Sequence, residues 1–292
     1  METFALGTHT VGRVGFGAMQ LPGPGVFGPP RDHDQAIAVL QRVPQLGINH
    51  IDTAQFYGPD VANELIREAL HPYPADLALV SKVGARRDAD GNWTPAQEPD
   101  ELRADIEQNL ATLGVDRLAA VNLRIHSGDP NAVGPVDREL FDRQLDAMIA
   151  ARDEGLIDGI GLSSISVEHL QIALERTEIA TVQNAYNLVD RTSQPVLDLC
   201  TERGIAFVPF FPLGSAFNAE NPVLGHPAVR AEAEKLGRTP AQIALAWTLS
   251  VAPNVLLIPG TSSVAHLEEN TAVAEIELDE ETKQALDAAT EK

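Results

Sequence analysis

The feature that most constrains the fold is a regular alternation of short apolar runs with amphipathic helical patterns along almost the whole chain. Short apolar runs predict eight strands, at residues 14–19, 48–52, 77–82, 119–125, 157–162, 181–183, 206–208 and 255–258. Helical patterns follow them at residues 34–46, 61–70, 100–113, 138–154, 167–176, 194–203, 228–236 with 240–249, and 264–273. Because strands that alternate with helices pair in parallel through crossovers, the sequence predicts an α/β fold of the (β/α)8 TIM barrel type.

Glycine and proline residues support these boundaries. A glycine follows a helical pattern and precedes a strand at Gly47, Gly114, Gly155 and Gly204. Pro99 and Pro240 lie at helix starts, where a missing N–H is tolerated. Residues 2–17 predict a short hairpin under the barrel, with Gly7 in its turn. Longer loops at residues 21–31, 85–99, 126–136 and 210–227 all follow strands, so we expect them to gather on one face around a pocket.

Composition narrows the classes of function. A length of 292 residues with 44% hydrophobic residues suits one barrel domain spanning 1–292. The formal charge of -21 predicts neither a nucleic-acid partner nor a membrane surface, because both are anionic. A single cysteine, Cys200, excludes an internal disulfide framework and any multi-cysteine metal site. We see no signal-peptide pattern at the N-terminus and no apolar stretch near the ~20 residues that span a bilayer, so we expect a cytoplasmic protein.

Three groups able to take part in proton transfer lie near the ends of two successive predicted strands. Asp52 ends the second strand, Tyr57 follows in a Gly-bounded loop, and Lys82 ends the third strand. In a parallel barrel the C-terminal ends of the strands carry catalysis. An ammonium beside a phenol stabilises the phenolate and makes the phenol a stronger acid, and a carboxylate keeps that ammonium charged. The set therefore predicts a general acid that protonates an oxyanion.

The runs around these residues resemble the aldo-keto reductase family, and the likeness extends nearly end to end. It rests on GINHIDTAQFYG, VSK, VQNAYN, FPLG and IPGTSSVAHLEEN, which occur in family order. The runs GAMQLPGPGVFGPPRD, VNLR and FVPFFPLG most resemble the bacterial branch that reduces pyridoxal. The resemblance implies a (β/α)8 barrel that binds a nicotinamide dinucleotide without a Rossmann fold, which agrees with the lack of a GxGxxG motif between a strand and a helix.

The resemblance also implies catalytic roles. Tyr57 matches the family's acid, and Lys82 and Asp52 match the pair that adjusts it. The family's fourth catalytic group is a histidine at the end of the fourth strand, and that place falls on Arg124. We favour Arg124 as the contact to the substrate oxygen, with His126 as the competitor. Arginine donates hydrogen bonds but is not a useful proton donor at neutral pH.

Cofactor contacts are implied in the same way. Ser163, Ser164 and Gln183 match the residues that hold the nicotinamide carboxamide, although the family usually has Asn where this chain has Ser164. Phe210 is a candidate for stacking on the nicotinamide, as is Phe211. The remaining implied contacts, to the pyrophosphate, the ribose phosphate and the adenine, are Pro212, Leu213, Gly214, Pro259, Gly260, Thr261, Ser262, His266, Glu269 and Asn270. The family's Lys and Arg for a 2′-phosphate are replaced by Gly260 and His266, so we expect NADPH but keep NADH open.

The activity predicted from this resemblance is NAD(P)H-dependent reduction of an aldehyde or ketone, with pyridoxal as the leading small-molecule substrate. One alternative keeps the chemistry on a sugar or a natural-product ketone. A second is a barrel aldolase with Lys82 as Schiff-base nucleophile, which leaves Tyr57 and Gln183 unexplained. A third is a cofactor-binding regulatory or partner-binding subunit with little turnover, for which the missing histidine is the best support.

Overall fold

The computed structural model describes residues 2–125, 133–214 and 221–290. Its main sheet has seven parallel strands in the order β11-β10-β9-β8-β5-β4-β3. In chain order, the strands of this sheet are β3 (Phe16–Gly17), β4 (His50–Asp52), β5 (Ala78–Val83), β8 (Leu118–Arg124), β9 (Ile157–Ser163), β10 (Thr181–Ala185) and β11 (Ala206–Phe210). The curled sheet is the core of an α/β TIM-barrel-like fold, which confirms the predicted fold class.

Helices lie between the strands and cover the outside of the sheet. They are α1 (His33–Gln45), α2 (Val61–Leu70), α3 (Pro99–Leu113), α4 (Arg138–Asp153), α5 (Val167–Leu174), α6 (Gln194–Arg203), α7 (Pro227–Leu236), α8 (Pro240–Ser250), α9 (Val264–Thr271) and α10 (Glu280–Asp287). Pro99 and Pro240 occupy first helical positions, and Gly114 and Gly204 end α3 and α6 in the left-handed region, as predicted. Within the described ranges, no helix combines the length and the apolar character needed to cross a lipid bilayer.

The predicted N-terminal hairpin is present and fills the bottom of the barrel. Strands β1 (Thr3–Leu6) and β2 (His9–Gly12) pair in antiparallel fashion, and Gly7 lies between them at φ +58°. Leu6 and Val11 are fully buried and belong to a cluster with small residues of the barrel interior. The hairpin thus excludes water from the N-terminal ends of the strands and leaves the other end for a site.

The predicted eighth strand takes part in the barrel through bridges rather than a long ladder. Leu257 pairs in parallel with Val14, and Val255 pairs in parallel with Phe207 of β11. The N–H of Leu256 donates to the carbonyl oxygen of Phe207 at 2.9 Å. Residues 255–257 therefore join the two edges of the seven-stranded sheet and close it.

Two predicted segments differ from the structure. The first strand, predicted at residues 14–19, is only Phe16–Gly17 because Ala18–Gln20 turns into a 3₁₀ helix. The loop predicted at residues 85–99 contains a small antiparallel hairpin of β6 (Ala85–Arg87) and β7 (Trp93–Pro95). A strand of three residues is too short for an alternating pattern of side chains to be recognised in the sequence.

Arg13 links the first strand region to the eighth at this closure. Its guanidinium is buried and donates to the carbonyl oxygens of Val255 at 3.1 Å and Ala252 at 2.8 Å. It also forms an ion pair with Glu2 at 2.7 Å. The side chain of Arg13 therefore provides hydrogen-bond donors for backbone carbonyl groups that the strands of the barrel do not pair.

We expect Arg13→Met to lower the urea midpoint of unfolding, because it leaves buried carbonyl groups without a donor, at a cost of about 1–3 kcal/mol each. The matched control is Arg103→Met, which removes exposed ion pairs to Glu107 and Glu154. Such pairs contribute about 0–1 kcal/mol. Equal midpoints for the two variants, measured by circular dichroism in urea, would contradict the proposed closing role of Arg13.

Candidate active site

A buried ion pair joins the second and third strands of the barrel. The ammonium of Lys82 donates to a carboxylate oxygen of Asp52 and to the carbonyl oxygen of Thr53, the latter at 3.1 Å. The side chains of Asp52 and Lys82 are only 2% and 5% exposed. The second oxygen of Asp52 accepts a hydrogen bond from Nε2 of Gln183 at 2.6 Å. Charges this far from water persist only when each is paired and hydrogen-bonded, which is the case here.

Tyr57 lies against this pair. Its phenol ring is buried, and Nζ of Lys82 lies 5.1 Å from the ring centroid. Burial opposes the charged form of Lys82, but the negative charges available to Asp52 and Tyr57 outweigh it and raise the pKa of Lys82. Lys82 therefore stays protonated at neutral pH and presents a fixed positive charge to the phenol.

The loop that carries Tyr57 is held by the loop after the first strand. The N–H of Gly58 donates to the carbonyl oxygen of Val26 at 3.2 Å. Val26 has φ +59°, which is strained for a β-branched residue. On its other side, Tyr57 meets the ring of Phe56 edge-on at 5.3 Å, and Phe56 meets Trp93 in the same way at 5.3 Å. The position of the phenol thus depends on two neighbouring loops.

Arg87 holds these two loops together. Its guanidinium donates to the carbonyl oxygens of Val26 and Gly25 at 3.0 Å each and to that of Gly91 at 2.7 Å. It also lies over the ring of Trp93 at 4.3 Å. The sequence does not reveal this role, because the guanidinium of Arg87 donates to backbone carbonyl groups in two loops that are far apart in the chain.

The residue predicted for the fourth catalytic place, Arg124, lies at the end of β8. The guanidinium of Arg124 lies over the ring of Phe210, 5.5 Å from its centroid, so it reaches across the barrel mouth from the fourth strand towards the seventh. Burial lowers the pKa of Arg124, and the negative charge available to Tyr57 opposes that shift. Its backbone carbonyl accepts from Gln97 at 3.2 Å. The competing residue, His126, lies outside the described residues.

Several buried polar atoms in this part of the barrel have no partner among the described residues, and two of them lie on strands that carry predicted cofactor contacts. These two are Oγ of Ser163 and Oε1 of Gln183, on adjacent strands whose register pairs the two residues. A primary carboxamide offers both a donor and an acceptor, so these atoms fit the nicotinamide carboxamide implied by the sequence. Ser164 follows at φ +57°, a conformation that asparagine adopts more readily than serine.

A cavity of about 290 Å³ lies at the C-terminal ends of the strands and brings most of the predicted residues together. The predicted residues that line it are Asp52, Tyr57, Lys82, Gln183, Phe210, Pro212, Leu213, Gly214, Pro259 and Gly260. The structure adds Gly17, Met19 and Gln20 from the end of the first strand, and Asn221 and Leu224. The rule that sites collect at strand ends could have found the first three.

Arg124, Ser163 and Ser164 are not in the lining of this cavity, and neither are five predicted residues at the start of α9 or on it. Ser262 lines a neighbouring cavity, and Oγ1 of Thr261 accepts the N–H of Ser263 at 3.0 Å as α9 begins. The other three lie on α9, with Asn270 buried and His266 and Glu269 exposed. Gly260 has little room for a side chain, because a Cβ there would lie 2.7 Å from the carbonyl oxygen of Gly17.

Comparison with known proteins identifies the class to which this site belongs. The model of the "Aldo/keto reductase family" matches residues 13–291. The chain belongs to the aldo/keto reductase family. This oxidoreductase is 48% identical to "Pyridoxine 4-dehydrogenase" of Escherichia coli (strain K12) over 98% of this chain and 97% of that protein. It is 39% identical to an uncharacterized oxidoreductase of Schizosaccharomyces pombe over 98% of this chain and 89% of that protein.

Solved structures of other reductases agree with the fold. A thermostable aldo-keto reductase in complex with the inhibitor epalrestat has a TM-score of 0.81 at 28% identity, covering 99% of this chain and 100% of that one. An aldo/keto reductase of Klebsiella pneumoniae in complex with NADP and acetate has a TM-score of 0.76 at 26% identity, covering 95% and 91%.

The alternative of a Schiff-base aldolase finds no support in the reductase. A lysine nucleophile must lose its proton, and low pKa values serve that purpose. Here the pKa of Lys82 is raised, and its ammonium is held by Asp52 and Thr53. The alternatives of a regulatory or partner-binding subunit likewise gain nothing from the comparisons.

We expect Arg87→Met to lower kcat for carbonyl reduction by about 10- to 100-fold, because small displacements of a catalytic group cost that much. The KM for the cofactor should change less, because Arg87 contacts the loops that hold Tyr57 rather than the cofactor cavity. Steady-state kinetics beside Arg103→Met give the comparison. A loss shared equally by both variants would contradict the positioning role of Arg87.

Proposed function

We propose that the reductase uses NADPH to reduce pyridoxal to pyridoxine, a small-molecule aldehyde to its alcohol. The observation that carries the proposal is the buried Asp52–Lys82 pair next to Tyr57 at a cavity lined by Gln183. The substrate is supported by the name of the Escherichia coli relative. The cofactor is supported by the Klebsiella pneumoniae reductases solved with NADP and with NADPH.

Each residue of the proposed site has a role that follows from its position. Ser163 and Gln183 would hold the nicotinamide carboxamide and so fix which face of the ring meets the substrate. When bound, the nicotinamide supplies a hydride from its C4 to the carbonyl carbon. The hydroxyl of Tyr57 donates a proton to the carbonyl oxygen, and the charge of Lys82 stabilises the phenolate that remains. Asp52 keeps Lys82 charged and in place.

A preference for NADPH needs a cation for the 2′-phosphate, and Arg31 is the candidate for that role. A cavity of about 340 Å³ shares Met19 and Gln20 with the catalytic cavity and is lined by Ser262 and Arg31. Asp32 also lines this cavity, but its carboxylate is engaged in capping the N-terminus of α1. We propose that the 2′-phosphate lies here between the side chain of Arg31 and the hydroxyl of Ser262.

We expect Tyr57→Phe to abolish nearly all turnover of pyridoxal while the affinity for NADPH stays within about twofold. The reason is that the ring and its packing remain and only the proton donor is lost, at a cost of about 100- to 10,000-fold in rate. NADPH oxidation at 340 nm and fluorescence titration of NADPH measure the two quantities. Turnover equal to that of the parent protein would rule out Tyr57 as the acid.

The substrate itself is tested with pyridoxal, pyridoxal phosphate, a sugar aldehyde and an aromatic ketone, each with NADPH and with NADH. Rapid NADPH-dependent loss of pyridoxal supports the proposal. Reduction of the sugar or the ketone alone would keep the family chemistry and discard pyridoxal.

We expect Arg31→Gln to raise the KM for NADPH by about tenfold, the size of one charge-assisted contact to phosphate. The KM for NADH should not change, because NADH lacks the 2′-phosphate. Arg31→Lys serves as the matched control that keeps the charge. Equal changes in the KM for NADPH and for NADH would show that the 2′-phosphate does not bind at Arg31.

A further inference from the structure

The positive charge of Arg124 at the barrel mouth has a chemical consequence for the choice of substrate. A histidine at the fourth catalytic place can be neutral, but the guanidinium of Arg124 carries a charge at any working pH. Burial lowers its pKa and the negative charge available to Tyr57 opposes that shift, and a guanidinium is not deprotonated in proteins. A partly buried permanent cation beside a reacting carbonyl favours a substrate that brings an anionic oxygen to the same place.

The position of that oxygen follows from the strands. Asn122 of β8 is in register with Lys82, and Arg124 is two residues further towards the mouth on the same face. Tyr57 is next to Lys82, and both line the catalytic cavity together with Phe210, over whose ring the guanidinium of Arg124 lies. A carbonyl oxygen that accepts the proton of Tyr57 therefore has the guanidinium of Arg124 on its mouth side.

The side chains at the barrel mouth indicate which kind of substrate carries this oxygen. Phe210 lies beneath the guanidinium, and the rings of Phe210 and Phe211 meet edge-on at 5.2 Å. Met19 and Leu213 add further apolar surface to the catalytic cavity. Such walls favour a flat aromatic ring over a flexible, hydrated sugar chain.

We propose that Arg124 selects aromatic aldehydes that carry an ionised hydroxyl group ortho to the carbonyl. This inference rests on the proposed carbonyl reduction, and pyridoxal is one member of the class. The guanidinium would donate to the phenolate oxygen, while Tyr57 donates its proton to the neighbouring carbonyl oxygen. The hydride brings the electron pair to the carbonyl carbon, the C=O π electrons move to oxygen, and that oxygen takes the proton.

Arg124 also offsets an electronic cost of this substrate class. An ortho phenolate donates electron density into the ring and makes the carbonyl carbon a poorer hydride acceptor. A charge-assisted hydrogen bond to the phenolate withdraws part of that density. A neutral histidine at the same place would give a weaker effect, which explains why this chain gains from arginine there.

The test is a panel of salicylaldehyde, 4-hydroxybenzaldehyde, 2-methoxybenzaldehyde and phenylglyoxylate, reduced with NADPH by the parent protein, Arg124→Met and Arg124→Lys. We expect the parent protein to prefer salicylaldehyde over 4-hydroxybenzaldehyde in kcat/KM by about 10- to 100-fold, the range of one hydrogen bond to a charged group. In Arg124→Met this ratio should fall to about one, and the kcat/KM for salicylaldehyde should fall more than the kcat/KM for 2-methoxybenzaldehyde. Arg124→Lys should keep part of the ratio.

Two further measurements separate this role from a general loss of structure. The ortho preference of the parent protein should vanish as the pH falls below the pKa of the salicylaldehyde phenol. Calorimetric binding of salicylaldehyde to the NADP⁺ complex should weaken in Arg124→Met but not in Arg103→Met, whose exposed side chain lies on α3.

The outcomes also distinguish this inference from the proposed function. If the parent protein reduces all the benzaldehydes without an ortho preference, the carbonyl reductase stands and the role of Arg124 is wrong. An Arg124-dependent preference for phenylglyoxylate instead would replace the phenolate with a carboxylate and overturn the proposed class. If the parent protein reduces no carbonyl compound with either cofactor, the proposed function itself fails.

Discussion

The buried ion pair between Asp52 and Lys82 is the interaction on which the rest of the site depends. Buried pairs of this kind contribute little net stability, because desolvation opposes the attraction, but removing one partner leaves an uncompensated charge. The pair is satisfied only because Thr53, directly after β4, and Gln183, on β10 across the barrel, add hydrogen bonds. The barrel must therefore be closed and in register before the charge beside Tyr57 is fixed, and the closure at Arg13 and the N-terminal hairpin supports that geometry.

The barrel interior below this pair contains a buried histidine. His50 precedes Asp52 by two residues on the same face, is fully buried, and has no partner for its ring nitrogens among the described residues. Burial lowers its pKa to about 4, with Asp52 raising it and Lys82 lowering it further. His50 is thus neutral at pH 7 and adds no competing charge. Gly15 leaves it room, since a Cβ there would lie 2.8 Å from Nδ1 of His50.

Much of the fold and of the candidate site could be predicted from the sequence, for a physical reason. Parallel strands buried on both faces are recognisable as apolar runs, and their C-terminal ends collect the loops, so Asp52, Tyr57 and Lys82 could be placed together before any coordinates. The small hairpin β6–β7 and the role of Arg87 could not. The strands of the hairpin are too short for periodicity to detect, and the role of Arg87 depends on backbone carbonyl groups and a strained φ at Val26, which leave no trace in side-chain type.

The charge of -21 and the expected anionic ligands are compatible because they act over different distances. Surface charges are screened within about 8 Å at physiological ionic strength. Buried and partly buried charges at the barrel mouth are screened much less, so Lys82 and Arg124 act there on a bound ligand despite the acidic surface. An acidic protein can therefore bind a dinucleotide and a phenolate where it offers local donors. Selectivity then depends on where each cation lies in the cavities, rather than on the sum of all charges.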